Sequence, residues 1–207
     1  MAKLMVEDGF SNREVYIGGT PLAPIETKWP HCSECNSPMQ FLAQLPLNEL
    51  GISLLEGRRQ YLLLFQCNSD PGMCDEWDAY SGGNAALLVP TETAVPIPVP
   101  TGETLLSGVS RIDLQEYDDS LMQETPDDNY CNALDMPDSK VLGKTGGTPL
   151  WIQNDETPAC SCGERMLFVA QLEAHGGGGI NFGDAGSGYA FVCSKCPSSA
   201  MFLWQCG

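Results

Sequence analysis

Eight cysteines stand out because their spacing suits a single chemistry, the binding of a metal ion by thiolates. The first four are Cys32-x-x-Cys35 followed by Cys67-x6-Cys74. The second four are Cys160-x-Cys162 followed by Cys193-x-x-Cys196. A short Cys-to-Cys spacing lets one turn present two sulfurs to an ion, and a second turn from a distant hairpin completes a tetrahedron. Four thiolates leave no open position, which is the pattern of a structural zinc site rather than a catalytic one. Four thiolates also suit iron, so spacing alone leaves the metal open between zinc and iron. Buried free thiols or a redox pair are the alternatives, and the matching placement of the two quartets weighs against both. Metal binding to such sites contributes on the order of 10–16 kcal/mol in small zinc peptides. Whole domains are stable by only ~5–15 kcal/mol. Two Zn²⁺ ions would therefore decide whether the regions around them fold.

The elements that must carry these cysteines come in two copies. Gly18-Gly19-Thr20-Pro21-Leu22 recurs letter for letter as Gly146-Gly147-Thr148-Pro149-Leu150. Phe41-Leu42-Ala43-Gln44-Leu45 recurs as Phe168-Val169-Ala170-Gln171-Leu172, with Met39 matching Met166, Cys32 matching Cys160 and Cys67 matching Cys193. A colinear series of this kind reads as an internal duplication. The expected architecture is an α+β, β-dominated fold, a pseudo-twofold pair of antiparallel β-rich lobes, each with its own four-cysteine zinc site. Residues 1–90 form the first repeat, residues 91–140 a Pro-rich and then acidic connector, and residues 141–207 the second repeat. Short apolar runs predict strands at Met39–Leu45, Gln60–Gln66, Ala85–Val89, Val109–Tyr117, Met166–Leu172, Tyr189–Val192 and Met201–Gln205. Helix signals are weak: Leu47–Leu54 allows two turns, which Gly51 interrupts.

Charge narrows the range of partners. The chain has 207 residues, 10 Lys+Arg against 27 Asp+Glu, and a net charge of -17. Nucleic-acid affinity comes mainly from Lys and Arg neutralising phosphates, so nucleic acid is disfavoured as a partner, and an anionic membrane surface with it. A protein or peptide partner, basic in character, is the better match. Much of the acidity falls in residues 112–139, which carry no Lys or Arg. No apolar run is long enough for a transmembrane helix, and acidic residues interrupt the first ten positions before a secretory signal could form. The expected location is the cytoplasm, where the thiols stay reduced.

Catalytic arrangements were sought among the remaining residues. His31 and His175 sit in no nucleophile–base motif, and Gly143-Lys144-Thr145 copies only the end of a phosphate loop, with Asp138 where its first glycine belongs. Gly18, Gly19, Gly146 and Gly147, with Gln44 and Gln171, are candidate partner-binding positions. Glycines let a partner's backbone approach, and a strand-borne amide can pair with it. The bland reading is a tight turn and an internally satisfied amide. Cys131 and Cys206 lie outside the quartets as free thiols. The function expected is a zinc-stabilised protein- or peptide-binding module, chaperone-like towards a basic client. The alternative is a hydrolase whose cleft the sequence does not display.

Gly18-Gly19-Thr20-Pro21, Trp29-Pro30, Phe41-Leu42-Ala43-Gln44-Leu45, and Gly146-Gly147-Thr148-Pro149 with Trp151 and Gln153, together resemble the YwqG-type family of uncharacterised bacterial proteins. The knuckles, Cys32-x-x-Cys35 with Pro38 and Phe41, and Cys160-Ser161-Cys162-Gly163, resemble the programmed cell death protein 2 family of eukaryotes. The resemblance covers residues 15–90 and 141–207. It implies a duplicated β-rich fold and, for the eukaryotic relatives, dedicated chaperoning of a ribosomal protein. It supplies no catalytic residues to carry over. Many YwqG-type proteins lack the cysteines, so the metal reading rests on this chain's own spacing.

Overall fold

The computed structural model describes residues 2–11, 13–118, 140–174 and 179–207. They form twelve strands: β1 Ala2–Glu7, β2 Tyr16–Gly18, β3 Leu22–Ala23, β4 Gln40–Pro46, β5 Gln60–Gln66, β6 Asn84–Pro90, β7 Val95–Pro96, β8 Val109–Tyr117, β9 Val141–Thr145, β10 Leu167–Glu173, β11 Ser187–Val192 and β12 Ala200–Gln205. Ten of them make one antiparallel sheet in the order β12-β11-β10-β9-β1-β8-β2-β4-β5-β6, and β3 pairs with β7 beside it. The sheet curls into a nearly closed barrel. Its two end strands approach each other, and Trp204 N of β12 donates to Trp77 O (3.2 Å) in the loop that precedes β6.

All seven strands expected from apolar runs are present. The α component of the expected fold is not found among the described residues. Leu47–Glu49 and Ser53–Leu55 form two short 3-10 turns instead of an α-helix, with Gly51 between them at φ 76°. That backbone lies in the left-handed region and ends any right-handed helix. Part of the segment read as a connector is also sheet. β8 sits at the centre between β1 and β2, because Ser110, Ile112 and Leu114 turn one buried face inward and Tyr117 is buried on the other with Leu4 and Val6, while Arg111 and Glu116 stay in solvent. Val95–Pro96 pairs with Leu22–Ala23, where proline is tolerated in a two-stranded edge. The acidic residues 119–139, with Cys131, lie outside the described residues, as does His175.

The strands read as continuous apolar runs because both of their faces are covered. Leu62 and Leu64 of β5 face a core shared with Val169, Leu172, Val192 and Phe202. Tyr61, Leu63 and Phe65 face the other way, into a cluster with Cys32, Cys67 and Cys74. The second half repeats this: Ala190 and Val192 face the shared core, while Tyr189 and Phe191 face Cys160 and Cys193. A bulge occurs at the same place in each half. Phe41 pairs with Phe65 and Ala43 with Leu64, leaving Leu42 as the extra residue; Phe168 pairs with Phe191 and Ala170 with Ala190, leaving Val169. Each bulge swings one more aliphatic side chain into the shared core. That core fills the space between the two halves, so no open cleft separates them there.

A third irregularity fixes the centre of the sheet. Met5 pairs with Gly143 and Val6 with Val141, so β9 carries one extra residue opposite β1. Gly143 has φ 141°, and a Cβ built there would lie 2.0 Å from Gln171 O. Gly143→Ala must therefore push β9 off β10. We expect it to destabilise the protein by about 2–3 kcal/mol in a denaturant titration, the scale of a strained backbone position. Gly57→Ala, where nothing lies within 4 Å of the added carbon, should leave the midpoint in place.

Candidate metal centres

Each cysteine quartet is gathered by two hairpins on the outer face of the barrel. In the first, Met39 N donates to Pro30 O (3.0 Å) and Cys32 N to Ser37 O (2.9 Å), and Asn36 takes φ 59° to turn the chain back. In the second, Met166 N donates to Pro158 O (3.0 Å) and Cys160 N to Glu164 O (2.8 Å), and Gly163 takes φ 85°. The second hairpin is one residue shorter between its cysteine and the closing carbonyl. The spacing Cys160-x-Cys162 is the result, and it still turns both sulfurs to one point.

The returning pairs are held differently. Cys193 N donates to Ser199 O (2.9 Å), and the amides of Lys195 and Cys196 point at Cys193 Sγ from 3.4 and 3.3 Å. The longer Cys67–Cys74 loop is organised by a residue the sequence reading missed. Glu76 is 1% exposed, and its carboxylate accepts from Gly72 N (2.5 Å) and Cys74 N (3.3 Å). Asn84 Nδ2 then donates to Glu76 O (2.8 Å) and Asp78 O (3.0 Å). Cys67 N donates to Gly83 O (2.8 Å), and a Cβ on Gly83 would meet Cys74 O at 2.2 Å. A buried carboxylate beside cysteines could have signalled a ligand, but here it is a loop anchor.

In each quartet the four sulfurs lie within 4.8 Å of one another. Cys35 Sγ is 3.6 Å from Cys67 Sγ, and Cys162 Sγ is 3.8 Å from Cys193 Sγ. Neither pair is near the ~2.05 Å of a disulfide. A tetrahedral ion with ~2.3 Å metal–sulfur bonds sets its sulfurs ~3.8 Å apart, so the donor set fits a closed tetrathiolate site. Cys32, Cys67, Cys74, Cys160 and Cys193 are buried, while Cys35 and Cys162 face solvent. Hydrogen bonds from Ser37 bring the Cys35 thiol down to about 6, and the Cys162 amide and Ser199 bring Cys160 down to about 6. Burial pushes Cys67 up to about 11 and Cys74 higher still, and sharing protons with neighbouring sulfurs, Cys162 first, lifts Cys196 to about 12. Four sulfurs this close hold protons between them when no cation is present. A bound divalent ion reverses that and deprotonates its thiols outright.

The other candidate positions are also placed. Gly18 and Gly19 each have φ 74°, and Gly146 and Gly147 have φ 65° and 69°. Both pairs form turns that lead into Thr-Pro-Leu. Gln44 is fully buried: its Oε1 accepts from Leu22 N (2.9 Å) and Tyr16 Oη (2.8 Å), and its Nε2 donates to Glu14 O. Gln171 is 2% exposed; its Oε1 accepts from Leu150 N (2.9 Å) and its Nε2 donates to Glu173. The two amides thus clamp the same loop in each half. Gly19 borders a cavity of about 430 Å³, also lined by Arg13, Glu14, Tyr16, Val109 and Arg111. Gly143-Lys144-Thr145 lies within β9, with its backbone in the sheet rather than around a phosphate. His31 Nδ1 lies 3.0 Å from Trp29 O, and among the described residues the ring pairs with no carboxylate. No helix of the described residues is long and apolar enough to cross a membrane.

A family model described as a domain of unknown function, DUF1963, matches residues 16–206, from β2 to the end of β12. No curated protein matches the chain.

Two metal ions per chain are expected by native mass spectrometry, and one each in Cys67→Ser and Cys193→Ser. The free sites hold protons that the bound sites lack, so binding strengthens as pH rises and weakens as it falls. Calorimetry in buffers of different ionisation enthalpy should register proton release at pH 7, and the bound fraction at limiting metal should fall between pH 7 and pH 5.

Proposed function

We propose that this chain, which belongs to the DUF1963 family, is a zinc-stabilised protein- or peptide-binding module acting on a basic client. The observation that carries the reading is the closed donor set: four sulfurs within 4.8 Å of one another in each quartet, with all four positions of a tetrahedron taken by protein. An ion so enclosed polarises no substrate. Its work is to hold the loops over the outer faces of the barrel. A tetrathiolate set with amides directed at a sulfur suits iron as well as zinc; we take zinc because four thiolates with no open position are the pattern of its structural sites, and elemental analysis of the purified protein distinguishes the two. The likeness of these knuckles to the programmed cell death protein 2 family supports a client that is a basic protein.

The sheet order supports the duplicated reading of residues 1–90 and 141–207. β2-β4-β5-β6 runs outward on one side of a central β8/β1 pair and β9-β10-β11-β12 on the other. On this reading β8 is the counterpart of β1, which moves the start of the second repeat back to Val109. Each repeat's first strand then pairs with the second strand of the other copy, β1 with β9 and β8 with β2.

Charge complementarity favours a basic client. The net charge is -17, and each zinc with four thiolates adds a formal -2 rather than neutralising it. The purified, metal-loaded protein should retain basic proteins from a cell extract at low salt and release them at high salt. Retention of acidic proteins only, or of none, would count against the reading.

A further inference from the structure

We propose that the second metal site is completed by the first half of the chain, with Arg58, Trp77 and Tyr80 as its supports, and that the two sites therefore fill together. This rests on the metal reading above and adds a property that reading does not require.

The link begins at Cys74. The chain leaves this cysteine as the segment 75–83, which has no strand or helix of its own and returns at Gly83 beside Cys67. Both of its ends are fixed at the first quartet. Glu76 binds the amides of Gly72 and Cys74, and Gly82 O accepts from Ser33 N (3.0 Å) in the first knuckle. Its middle lies against the second half. Trp77 O accepts from Trp204 N, and the two indoles meet edge to face with centroids 6.2 Å apart. Ala79 packs into the cluster that holds Cys160 and Cys193. Tyr80 Oη accepts from Ala159 N (2.9 Å), the residue before Cys160.

The other turn of the second site is held from the first half as well. Arg58 Nη2 donates to Cys193 O (2.9 Å) and Ser194 O (3.2 Å), and Gln60 Nε2 donates to Pro197 O (3.1 Å), next to Cys196. The second nitrogen, Arg58 Nη1, is buried without a hydrogen-bond partner. Keeping this half-buried guanidinium against the turn costs less when the turn is negative, as a tetrathiolate ion would make it. Both sulfur-bearing turns of the second quartet thus rest on groups from residues 58–80. The first quartet has one such contact in return: Gln66 Nε2, next to Cys67, donates to Asn181 O (2.8 Å). The coupling these contacts create is reciprocal: if an ordered first site strengthens the second, a filled second site strengthens the first by the same factor.

The full-length, metal-loaded protein should be titrated with a zinc chelator, and native mass spectrometry should count chains with no, one and two metals. Independent equal sites put half of the chains in the one-metal state at the midpoint. A coupling of about tenfold, towards the low end of the usual range, lowers that share to about a quarter. Tyr80→Phe removes only a hydroxyl from a side chain that is 64% exposed, so folding is not at stake, and Arg58→Met keeps the length of the arginine. Both should raise the one-metal share towards half. A wild-type share of half or more overturns the coupling and leaves the two-metal reading standing, and so does a low share that neither variant changes. A wild-type chain that carries no metal overturns both.

Discussion

The structure depends on the burial of the outward face of each sheet half beneath a cysteine-gathered loop. A barrel covers only its inner face by itself. Here Tyr61, Leu63 and Phe65 on one side, and Tyr189, Phe191 and Leu203 on the other, point away from the shared core and are nevertheless buried. Burying one such side chain is worth roughly 1.5–3 kcal/mol. The covering segments have almost no regular structure with which to hold themselves in place. Trp29 lies across Phe65 at 5.3 Å, and Trp151 across Tyr189 at 4.4 Å, which adds aromatic contacts to each cover. Four sulfurs sharing one ion would pin each cover down. On this view metal and apolar packing are one interaction: neither the loop nor the outer face is stable in its place without the other.

The second constraint is the buried amide in each half. Gln44 and Gln171 occupy the same place on β4 and β10 and accept from the backbone of Leu22 and Leu150, the last residues of the two Gly-Gly-Thr-Pro-Leu loops. A strand that presented leucine there would leave a buried backbone N–H without a partner, at a cost of ~1–3 kcal/mol. The letters Ala-Gln-Leu and Gly-Gly-Thr-Pro-Leu thus recur together for one reason. The amide and the loop are two parts of a single joint.

Much of this was legible in the chain. The quartets were readable because thiol chemistry demands close spacing, and seven strands because they carry apolar residues, in continuous runs in β4, β5 and β11 and in alternation in β8. The strands that escaped notice were of three kinds. β1 is six residues long, but its apolar Leu-Met-Val lies between Lys3 and Glu7 and was weighed only as a start unlike a secretory signal. β2, β3 and β7 are two or three residues long, too short for any period to emerge. β9 contains Gly143 and the fully buried Lys144, and neither residue type signals a strand at the middle of a sheet. β8 was recognised as a strand but assigned to a connector, since its acidic residues resembled those of the following run. Helix was over-expected, since two short apolar turns resemble one helix until Gly51 is given its φ. Glu76 and Arg58 were not readable at all. One acts through backbone amides and the other through carbonyls that only the folded chain brings near.

The place of β1 has a consequence for how the chain is made. Residues 2–7 pair on one side with residues 112–117 and on the other with residues 141–145. Neither partner exists when β1 leaves the ribosome. At ~5–20 residues per second, the first of them follows on the order of 5–20 seconds later. For that interval an apolar strand, Ala-Lys-Leu-Met-Val-Glu, has both edges unpaired. The first cysteine quartet is finished by residue 74, well before this, so its loops can settle while the centre of the sheet is still missing. The first rim can thus settle before β1 finds a partner, whereas the second rim, β10 to β12, is made only after both partners of β1 exist.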